Sequence, residues 1–444
     1  MPGTTVAETL AGAVRQFVGD DLPVRIRAWD GSEAGPADAP VAVIRNRRAL
    51  RRLLWHPDEL GLARAYVTGD LDVEGDLDDG FRRIWTLSRE GGARTRDRSV
   101  HISRRDQLAA AGLALRLGIV GLPPRAPASE AKISGRLHSR SRDRAVIAHH
   151  YDLSNEFYSL ILDEHMAYSC AYFTSDAPGY TLADAQRDKL DLVCRKLALA
   201  PRMRLLDVGC GWGSLSIHAA QHYGVQVTGV TLSREQLDFA RKRAADIGVQ
   251  DLVEFRLQDY RDVADGPYDA ASSIEMGEHV GAENYPVFVA AVQRLLRPEG
   301  RFLVQQMSRG AGSVPQRRGG NAPGGGPFIE AYIAPDMHMR PVGETVGLLE
   351  AGGFEVRDVH ALREHYVRTA GEWRANFESR WDDVVALVGE EVARVWRLYL
   401  VGGTLAFEER RMGVDQILAV KPTADGRSGF APGPDSVPER QGGW

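Results

Sequence analysis

A glycine-rich turn directly after an apolar run is the first segment whose residue types could do chemistry. Leu205 and Leu206 precede Asp207, and glycines follow at positions 209, 211 and 213. Glycines in such a turn let the backbone approach a ligand closely, and an acidic residue at the end of a strand can orient that ligand. The residue types therefore predict a nucleotide-type binding turn, with a purely structural glycine turn as the alternative.

Polar residues also follow the next two apolar runs. Thr231, Leu232 and Ser233 come after the run 225–230, with Gln236 close behind, and Asp259 follows the run 252–257. In a Rossmann-like sheet the carboxyl ends of these strands meet at one edge, so we expect these side chains to lie near the glycine turn. The Asp259 carboxylate could there accept a hydrogen bond from the amino group of adenine.

The spacing of the glycines excludes two common nucleotide sites. A dinucleotide fingerprint needs Gly-x-Gly-x-x-Gly and an acidic residue at the end of the second strand, where Thr231 stands. A phosphate loop needs a lysine followed by Ser or Thr after its glycines, and this pair is missing here. Hydride transfer and kinase chemistry are therefore not expected.

The segments around the turn alternate between two kinds of periodicity. Runs 204–208, 225–230 and 252–257 have the length of buried strands, and 215–223 and 234–247 have the spacing of amphipathic helices. This alternation predicts an α/β fold of Rossmann-like type, with a parallel sheet covered by helices on both faces.

The chain divides into four predicted segments. We expect a small N-terminal α+β domain over 1–124, a linker over 125–145, the catalytic domain over 146–421 and a flexible tail over 422–444. The nearly continuous apolar run 108–122 could form a buried helix or one that lies at a membrane surface. The linker carries a basic cluster that could be solvated or could contact anionic headgroups: Arg136, Arg140, Arg142 and Arg144.

Composition excludes several other classes of protein. The 444 residues are 43% hydrophobic and 26% charged, with a net charge of -5, so the chain has no overall electrostatic footprint for nucleic acid. Cys170, Cys194 and Cys210 have neither a disulfide framework nor zinc-ligand spacing, so we predict no metal site and a reducing, cytoplasmic location. No uncharged apolar run has the roughly 20 residues that span a bilayer, so membrane contact is expected to be peripheral, on the inner face.

Five collinear segments resemble the cyclopropane-fatty-acyl-phospholipid synthase family. They are 150–155 (HYDLSN), 168–173 (YSCAYF), 207–213, 230–233 and 278–281 (EHVG), and the resemblance covers about 147–420. It implies a class I methyltransferase fold with helical cover and S-adenosylmethionine as methyl donor. The positions that resemble the family's cofactor pocket are Tyr168, Ser169, Asp207, Gly209, Gly211, Thr231, Leu232, Gln236, Asp259 and Ile274.

The reaction that the resemblance implies makes a reactive cation. A methyl group is added to a carbon-carbon double bond of an acyl chain, and the resulting carbocation must be kept from water in a dry, aromatic-lined site. The aromatic candidates for this lining are Tyr168, Tyr172, Phe173, Tyr399 and Phe407, although each could also be ordinary core packing.

In the family, a bicarbonate ion is thought to remove the proton from the cation. Its cage resembles Cys170, Glu278, Tyr399, a histidine and the backbone amide two residues after that histidine. This chain has Gln305 where the family has the histidine. A glutamine cannot become cationic and offers an anion only a neutral hydrogen bond, roughly half as strong as a charge-assisted one. The substitution argues against the use of bicarbonate.

A second departure concerns Glu156, which stands where the family more usually has Asp. Its longer side chain could provide a built-in base, whereas a carboxylate at a helix start that faces solvent is the alternative. Together with Gln305, it predicts a methylene-branched product, as in the actinomycete subgroup that makes 10-methyl fatty acids, with a cyclopropane ring as the alternative. The expected partners are oleoyl-type phospholipid chains at the membrane surface and a flavin- and NADPH-dependent reductase. The sequence is compatible with a monomer or a homodimer.

Overall fold

The computed structural model describes residues 4–18, 22–84, 86, 112, 114–131, 142, 153–310 and 326–431. The chain forms two compact units, Met1–Glu130 with Val388–Leu405, and Ala131–Leu387 with Ala406–Trp444. This division differs from the predicted one, because residues 125–130 and Val388–Leu405 group with the N-terminal unit instead of the linker and the catalytic domain.

The first unit has the α+β composition expected of it. A four-stranded sheet has the order β2-β1-β3-β4. Its elements are α1 (Val6–Val18), β1 (Arg25–Arg27), β2 (Glu33–Ala34), β3 (Val41–Ile44), α2 (Arg47–Trp55), α3 (Glu59–Val67) and β4 (Leu71–Glu74). The side chains of Asn46 and Asp58 cap α2 and α3 by accepting from free backbone amides of the first turn.

A seven-stranded sheet forms the centre of the second unit, in the order β10-β11-β9-β8-β5-β6-β7. Its strands are β5 (Arg204–Val208), β6 (Gln226–Thr231), β7 (Val253–Leu257), β8 (Tyr268–Ile274), β9 (Leu296–Ser308), β10 (Glu355–Ala361) and β11 (Gly413–Val420). Strands β5 to β9 pair in parallel, and β11 is antiparallel to both β9 and β10. The predicted Rossmann-like fold is confirmed, with an antiparallel edge that the run pattern of 204–257 did not include.

Helices precede and connect these strands along the chain, and the last of them includes Val388–Leu405 of the first unit. They are α4 (Asn155–Ile161), α5 (Leu182–Lys196), α6 (Ser214–Tyr223), α7 (Arg234–Ile247), α8 (Tyr285–Leu295), α9 (Gly326–Tyr332), α10 (Val342–Ala351), α11 (Arg363–Ser379) and α12 (Trp381–Glu408). Helix α12 is interrupted at Gly389, whose φ of +80° is not helical. Two apolar clusters fill the faces of the sheet, one centred on Leu205 and Phe255 and the other on Leu206 and Phe302.

Two predicted irregular segments contain ordered contacts. The Arg142 guanidinium lies 2.7 Å from the buried carboxylate of Asp336, so this member of the basic cluster is paired. In the predicted tail, the guanidinium groups of Arg301 and Arg357 lie 4.1 and 4.7 Å from the ring centroid of Phe430. The tail is therefore packed near residue 430. The other three arginines of the cluster lie outside the described residues.

The apolar run 108–122 is partly buried, and its contact with a membrane surface stays a prediction. Of its described residues, Ala114 and Leu117 are buried in the core of the first unit, whereas Leu115 and Leu122 are 70% and 84% exposed. Among the described residues, no helix combines the length and apolar character needed to cross a bilayer.

Candidate active site

An open cavity lies at the carboxyl ends of β5, β6 and β8. It has about 1200 Å³ of empty space. All ten residues predicted to form the cofactor pocket line it: Tyr168, Ser169, Asp207, Gly209, Gly211, Thr231, Leu232, Gln236, Asp259 and Ile274. The structure thus brings this predicted set together at one place, the usual position of ligands in such sheets.

The glycine turn forms one wall of the cavity. Gly209 and Gly211 have φ values of +79° and +54°, in the left-handed region that favours glycine. A Cβ atom on Gly209 would lie 2.8 Å from Cγ of Met276, whereas one on Gly211 would meet no atom within 4 Å. Gly209 is therefore required by packing, and Gly211 leaves the wall open for a ligand to approach the backbone.

Asp207 is fixed by two serine hydroxyls. Its carboxylate oxygens accept from Ser216 Oγ at 2.7 Å and from Ser272 Oγ at 2.9 Å. Burial raises the pKa of this carboxyl group, and the two hydroxyls oppose that effect. These contacts hold Asp207 at the end of β5, where it borders the cavity.

The other polar wall contains Asp259 and Gln236. Asp259 accepts from the backbone amide of Arg261 at 3.0 Å and from its guanidinium at 2.6 Å. Thr231 donates its hydroxyl to Gln236 Oε1 at 2.9 Å, and Ser233 caps α7 by accepting from the Gln236 amide. A base amino group that reached Asp259 would therefore share the carboxylate with Arg261.

Lys189 is a buried cation of the cavity wall that the sequence analysis missed. Its ammonium group donates to Ser169 Oγ at 2.8 Å, and only 1% of the residue is exposed. Burial lowers the pKa of Lys189, while nearby Glu275 and Asp163 raise it. A signal existed, because Lys189 follows Gln186 at helical spacing on the buried face of α5. Gln186 itself donates to the carbonyl oxygens of Ala167 and Ser169.

Glu275 is a second buried group that was missed. It directly follows β8, borders the cavity and has a φ of +52°, which is uncommon for a residue with a side chain. Its Oε1 accepts from the Cys170 amide and from Gln305 Nε2, both at 2.8 Å, and its Oε2 accepts from the Tyr366 hydroxyl at 2.7 Å. Burial raises its pKa, and these donors oppose the rise. A carboxylate directly after an apolar strand was the available signal.

Gln305 lies in β9, and both the nitrogen and the oxygen of its side-chain amide are hydrogen-bonded. Nε2 faces Glu275 Oε1 and, at 3.4 Å, the carbonyl oxygen of Cys170, while Oε1 accepts from Gln416 Nε2 at 2.9 Å. Because the Cys170 carbonyl oxygen can only accept a hydrogen bond, the group of Gln305 that faces it must be the amide nitrogen.

Cys170 and Glu278, like Gln305, are buried and are not part of the cavity wall. The Cys170 thiol donates to the carbonyl oxygens of Ala171 at 3.3 Å and Leu362 at 3.6 Å, and burial raises its pKa well above the usual value. Glu278 Oε1 accepts from the Met307 amide at 3.1 Å, and its buried Oε2 accepts from no described residue. Burial, with the nearby Glu275, raises the pKa of Glu278 to about 8, which favours the neutral acid at pH 7.

Comparison with known proteins identifies the family. Residues 138–417 match the family model of mycolic acid cyclopropane synthetase. The chain belongs to this family. It is 37% identical to a probable fatty acid methyltransferase of Mycobacterium tuberculosis, covering 94% of each chain, and 33% identical to the tuberculostearic acid methyltransferase of the same organism, covering 94% of this chain and 92% of that one.

A solved structure shows the same fold. It is a mycolic acid cyclopropane synthase in complex with SAH and CTAB, with 33% identity and a TM-score of 0.57 over 62% of this chain and 97% of that one. The protein described here is thus an S-adenosylmethionine-dependent methyltransferase, in a family that acts on fatty-acyl lipids. The open wall at Gly211 and the buried pair Ser169–Lys189 fit this cofactor, since a backbone can approach its nucleoside and a cation can face its carboxylate.

One residue expected in the catalytic centre is not placed there. The side chain of Glu156 lies in the first turn of α4, is exposed and is not part of the cavity wall. The expectation that it faces the reacting atoms is therefore wrong, because the helix start points this residue to solvent. Tyr399 belongs to the first unit, where its ring packs edge-on against Trp396 with 5.4 Å between centroids; its role stays a prediction.

Aromatic rings of the second unit pack together, among them Tyr168, which borders the cavity. The Tyr168 ring packs against Tyr158 and Trp373, with centroids 5.6 and 5.2 Å away, and Tyr366 stacks on Phe407 at 4.2 Å. Among the predicted lining residues, Tyr168 borders the cavity and Phe407 supports Tyr366. Tyr172 and Phe173 instead pack against His365 and are not part of the cavity wall.

The donors that the resemblance assigns to bicarbonate already serve acceptors of this chain. Gln305 Nε2 donates to Glu275, the Met307 amide donates to Glu278, and the Cys170 thiol faces backbone carbonyl oxygens. A bicarbonate ion would have to displace these bonds and would lie beside a buried carboxylate of like charge. The described residues therefore do not fit a bound bicarbonate.

Proposed function

We propose that this enzyme adds the methyl group of S-adenosylmethionine to the cis double bond of an oleoyl-type phospholipid chain and leaves a methylene branch. The observation that carries the proposal is the Gln305–Glu275 pair, which replaces a histidine-held anion with a carboxylate of the chain itself. The likeness to a tuberculostearic acid methyltransferase over 94% of the chain supports the branched product.

The chemistry defines what the residues must do. When bound, the cofactor supplies an electrophilic methyl group. The π electrons of the alkene form the new carbon-carbon bond, the carbon-sulfur pair stays on sulfur, and a carbocation is left on the other alkene carbon. If a hydride then moves from the methylated carbon, the positive charge sits where the methyl is attached, and loss of a methyl proton gives the methylene branch. Proton loss without the shift closes a cyclopropane ring instead.

The aromatic rings of the second unit suit the cationic stage. A desolvated cation over an aromatic face is stabilised by about 2 kcal/mol or more. Tyr168 and Tyr366 each pack against Trp373, and Phe407 supports Tyr366 from its other face. Because these rings also exclude water, the cation can survive long enough for a hydride shift.

Product analysis tests this function. Vesicles of dioleoyl phospholipid are incubated with the purified full-length enzyme and S-adenosylmethionine that carries a labelled methyl group. We expect a labelled chain, heavier by one methylene, that takes up hydrogen on catalytic reduction to give a methyl branch. The ring product has the same mass, so fragmentation must separate the two. A labelled cyclopropane as the main product would favour the alternative, ordinary cyclopropane synthesis.

The methylene branch implies a second enzyme. Saturation of an isolated double bond requires a hydride donor, and no such chemistry is expected of the glycine turn described above. We therefore expect a separate flavin- and NADPH-dependent reductase to act on the product and give the 10-methyl chain. Addition of such a reductase to the vesicle assay should convert the methylene product to the saturated branch.

We also propose that the first unit contacts the inner face of the membrane through one surface. This Trp55–Leu122 patch consists of the exposed apolar residues Leu54, Trp55, Leu115, Val120 and Leu122. Trp55 Nε1 donates to the Gly121 carbonyl at 3.1 Å, so α2 and the loop after residue 117 lie side by side. Arg51 contacts the same loop, and Arg116 is exposed within it. Apolar side chains with arginines beside them match an anionic phospholipid surface.

A further inference from the structure

We infer that Glu275 is the base that removes the proton from the added methyl group, in the place that bicarbonate takes in the family. The inference rests on the proposed methyl transfer to an alkene, but it holds for either product, because both lose a proton from that methyl group. It assigns a catalytic task to a residue that the family resemblance did not mark.

The position of Glu275 is the first support. It borders the same cavity as Ile274, Ser169 and Gly211, which places its carboxylate at the edge of the cofactor pocket and not in the protein core alone. The Tyr366 hydroxyl donates to this carboxylate at 2.7 Å. A base must be within hydrogen-bond reach of the proton that it removes, and a carboxylate on the cavity wall can meet a substrate bound beside the cofactor.

The hydrogen-bond network is the second support. Each donor to Glu275 is itself fixed: the Cys170 amide belongs to the backbone, Gln305 is held by Gln416, and Tyr366 is stacked on Phe407. The carboxylate is therefore oriented before the substrate arrives. Such preorganisation is what a diffusing anion lacks and what a base attached to the chain provides.

The charges around Glu275 are the third support. Lys189 from α5 lies close enough to favour its ionised form, and Glu278 from the segment after β8 opposes it. The Cys170 thiol stays neutral, since burial raises its pKa. Three donors reach the oxygens of Glu275, whereas Glu278 Oε2 accepts from no described residue, so the negative charge of this carboxyl pair is favoured on Glu275.

The proton balance closes within the chain. The methyl C–H bond breaks, and its electron pair forms either the second bond of the methylene group or the bond that closes the ring. The proton goes to a Glu275 oxygen, which becomes a neutral acid. Solvent takes this proton after the product leaves. The three donors to Glu275 lower its pKa and so offset part of the rise that burial causes.

The first test compares isosteric variants of the full-length protein with labelled S-adenosylmethionine and dioleoyl phosphatidylglycerol vesicles. Glu275→Gln should lower kcat by about 100-fold or more, the usual contribution of a general base, with the melting temperature and the cofactor affinity little changed. Glu350→Gln, which alters an exposed carboxylate of α10, is the matched control. Glu156→Gln tests the competing base, and a loss of kcat there but not in Glu275→Gln would overturn the inference.

The second test uses bicarbonate itself. In buffer purged of carbon dioxide, the wild-type rate should not respond to added bicarbonate. Glu275→Gly should be inactive in that buffer and regain activity when bicarbonate or formate is added, because it frees the Cys170 and Gln305 donors and suits the left-handed backbone. Strong stimulation of the wild type by bicarbonate would contradict a built-in base.

Failure of the inference about Glu275 can be distinguished from failure of the proposed function. If the wild type makes a cyclopropane, the methylene product is wrong, yet loss of kcat in Glu275→Gln and indifference to bicarbonate would still support Glu275 as the base. If Glu275→Gln keeps its kcat while the wild type makes a methylene chain, the proposed function holds and the inference about Glu275 fails.

Discussion

Tyr366 donates its hydroxyl to Glu275 Oε2 at 2.7 Å while its ring stacks on Phe407, with 4.2 Å between centroids. One side chain thus joins an aromatic wall to a carboxylate. This geometry couples cation stabilisation to proton removal, because a shift of the ring would move the donor of the carboxylate as well.

The link between Tyr366 and Glu275 predicts a change in pH dependence. A donor to the charged form lowers the pKa of a carboxyl group, so Tyr366→Phe should raise the pKa of Glu275. Since Glu275 acts when ionised, activity is lost as pH falls, and this acid limb of the kcat/KM profile should move to higher pH. Lys189 and Glu278 are unchanged between the two proteins. Tyr180→Phe, which alters a hydroxyl bonded to Asp188 outside the cavity, should leave the limb in place.

The glycine wall predicts a defect in cofactor affinity. A methyl group at position 211 would enter open space of the cavity, so Gly211→Ala should weaken S-adenosylmethionine binding by about tenfold, or 1.4 kcal/mol, as measured by calorimetry. Gly248→Ala introduces similar backbone strain at φ +84°, also with no atom within 4 Å, at the end of α7. Equal affinities for S-adenosylmethionine in the two variants would show that the glycine turn does not contact the cofactor. Gly209→Val is the poorer test, since its side chain would strike Met276.

The buried Ser169–Lys189 pair predicts which part of the cofactor the lysine serves. Lys189→Met keeps the length of the side chain but removes its charge, so it should weaken S-adenosylmethionine binding by about tenfold or more. Binding of 5′-methylthioadenosine, which lacks the amino-acid carboxylate, should be nearly unchanged. If both ligands lose affinity equally, Lys189 supports the pocket by packing alone.

Glu278 predicts a stability effect with a defined sign. Its pKa is raised in the folded protein to about 8, so its contribution to stability is present at low pH and is lost as pH rises towards 8. Glu278→Gln cannot ionise, and its melting temperature should fall less than that of the wild type between pH 6.5 and 8. Buried His365 has a pKa lowered to about 4. Its contribution to the stability of the protein therefore falls only below this pH range, and it is the same in both proteins. Parallel melting curves would show that Glu278 does not titrate there.

The Trp55–Leu122 patch predicts lipid-dependent binding. Leu122→Glu places a negative charge on a surface that we expect to meet anionic headgroups, so it should reduce co-sedimentation with phosphatidylglycerol vesicles, with little effect on the melting temperature. Val287→Glu changes an exposed apolar residue of α8 in the second unit and should bind vesicles as the wild type does. A Leu122→Glu protein that sediments normally would remove this patch from the membrane contact.

The sheet and the cofactor pocket could be predicted because their signals are local. Strand and helix periods over 204–257 fix the order of β5, α6, β6, α7 and β7, and the ends of parallel strands bring Asp207, Thr231 and Asp259 to one edge. The positions of residues that are near each other both in sequence and in space can be predicted in this way.

The base could not be predicted because its surroundings come from distant segments. Glu275 is contacted by Cys170, Gln305 and Tyr366, which are 105, 30 and 91 residues away along the chain. Glu156 was favoured for its closeness in sequence to Cys170, yet the direction in which a helix start faces depends on tertiary packing. The grouping of Val388–Leu405 with the first unit was missed for a similar reason, since the break at Gly389 lies within a helical pattern.

The left-handed backbone of Glu275 sets two selective pressures against each other. At φ +52° a side chain costs about 1 kcal/mol or more relative to glycine, and the buried carboxylate adds the cost of its desolvation. Replacement by glycine would therefore relieve strain at the point where catalysis is lost. A screen for heat resistance alone would tend to select inactive proteins at this position, whereas a screen for lipid methylation would keep the strained residue.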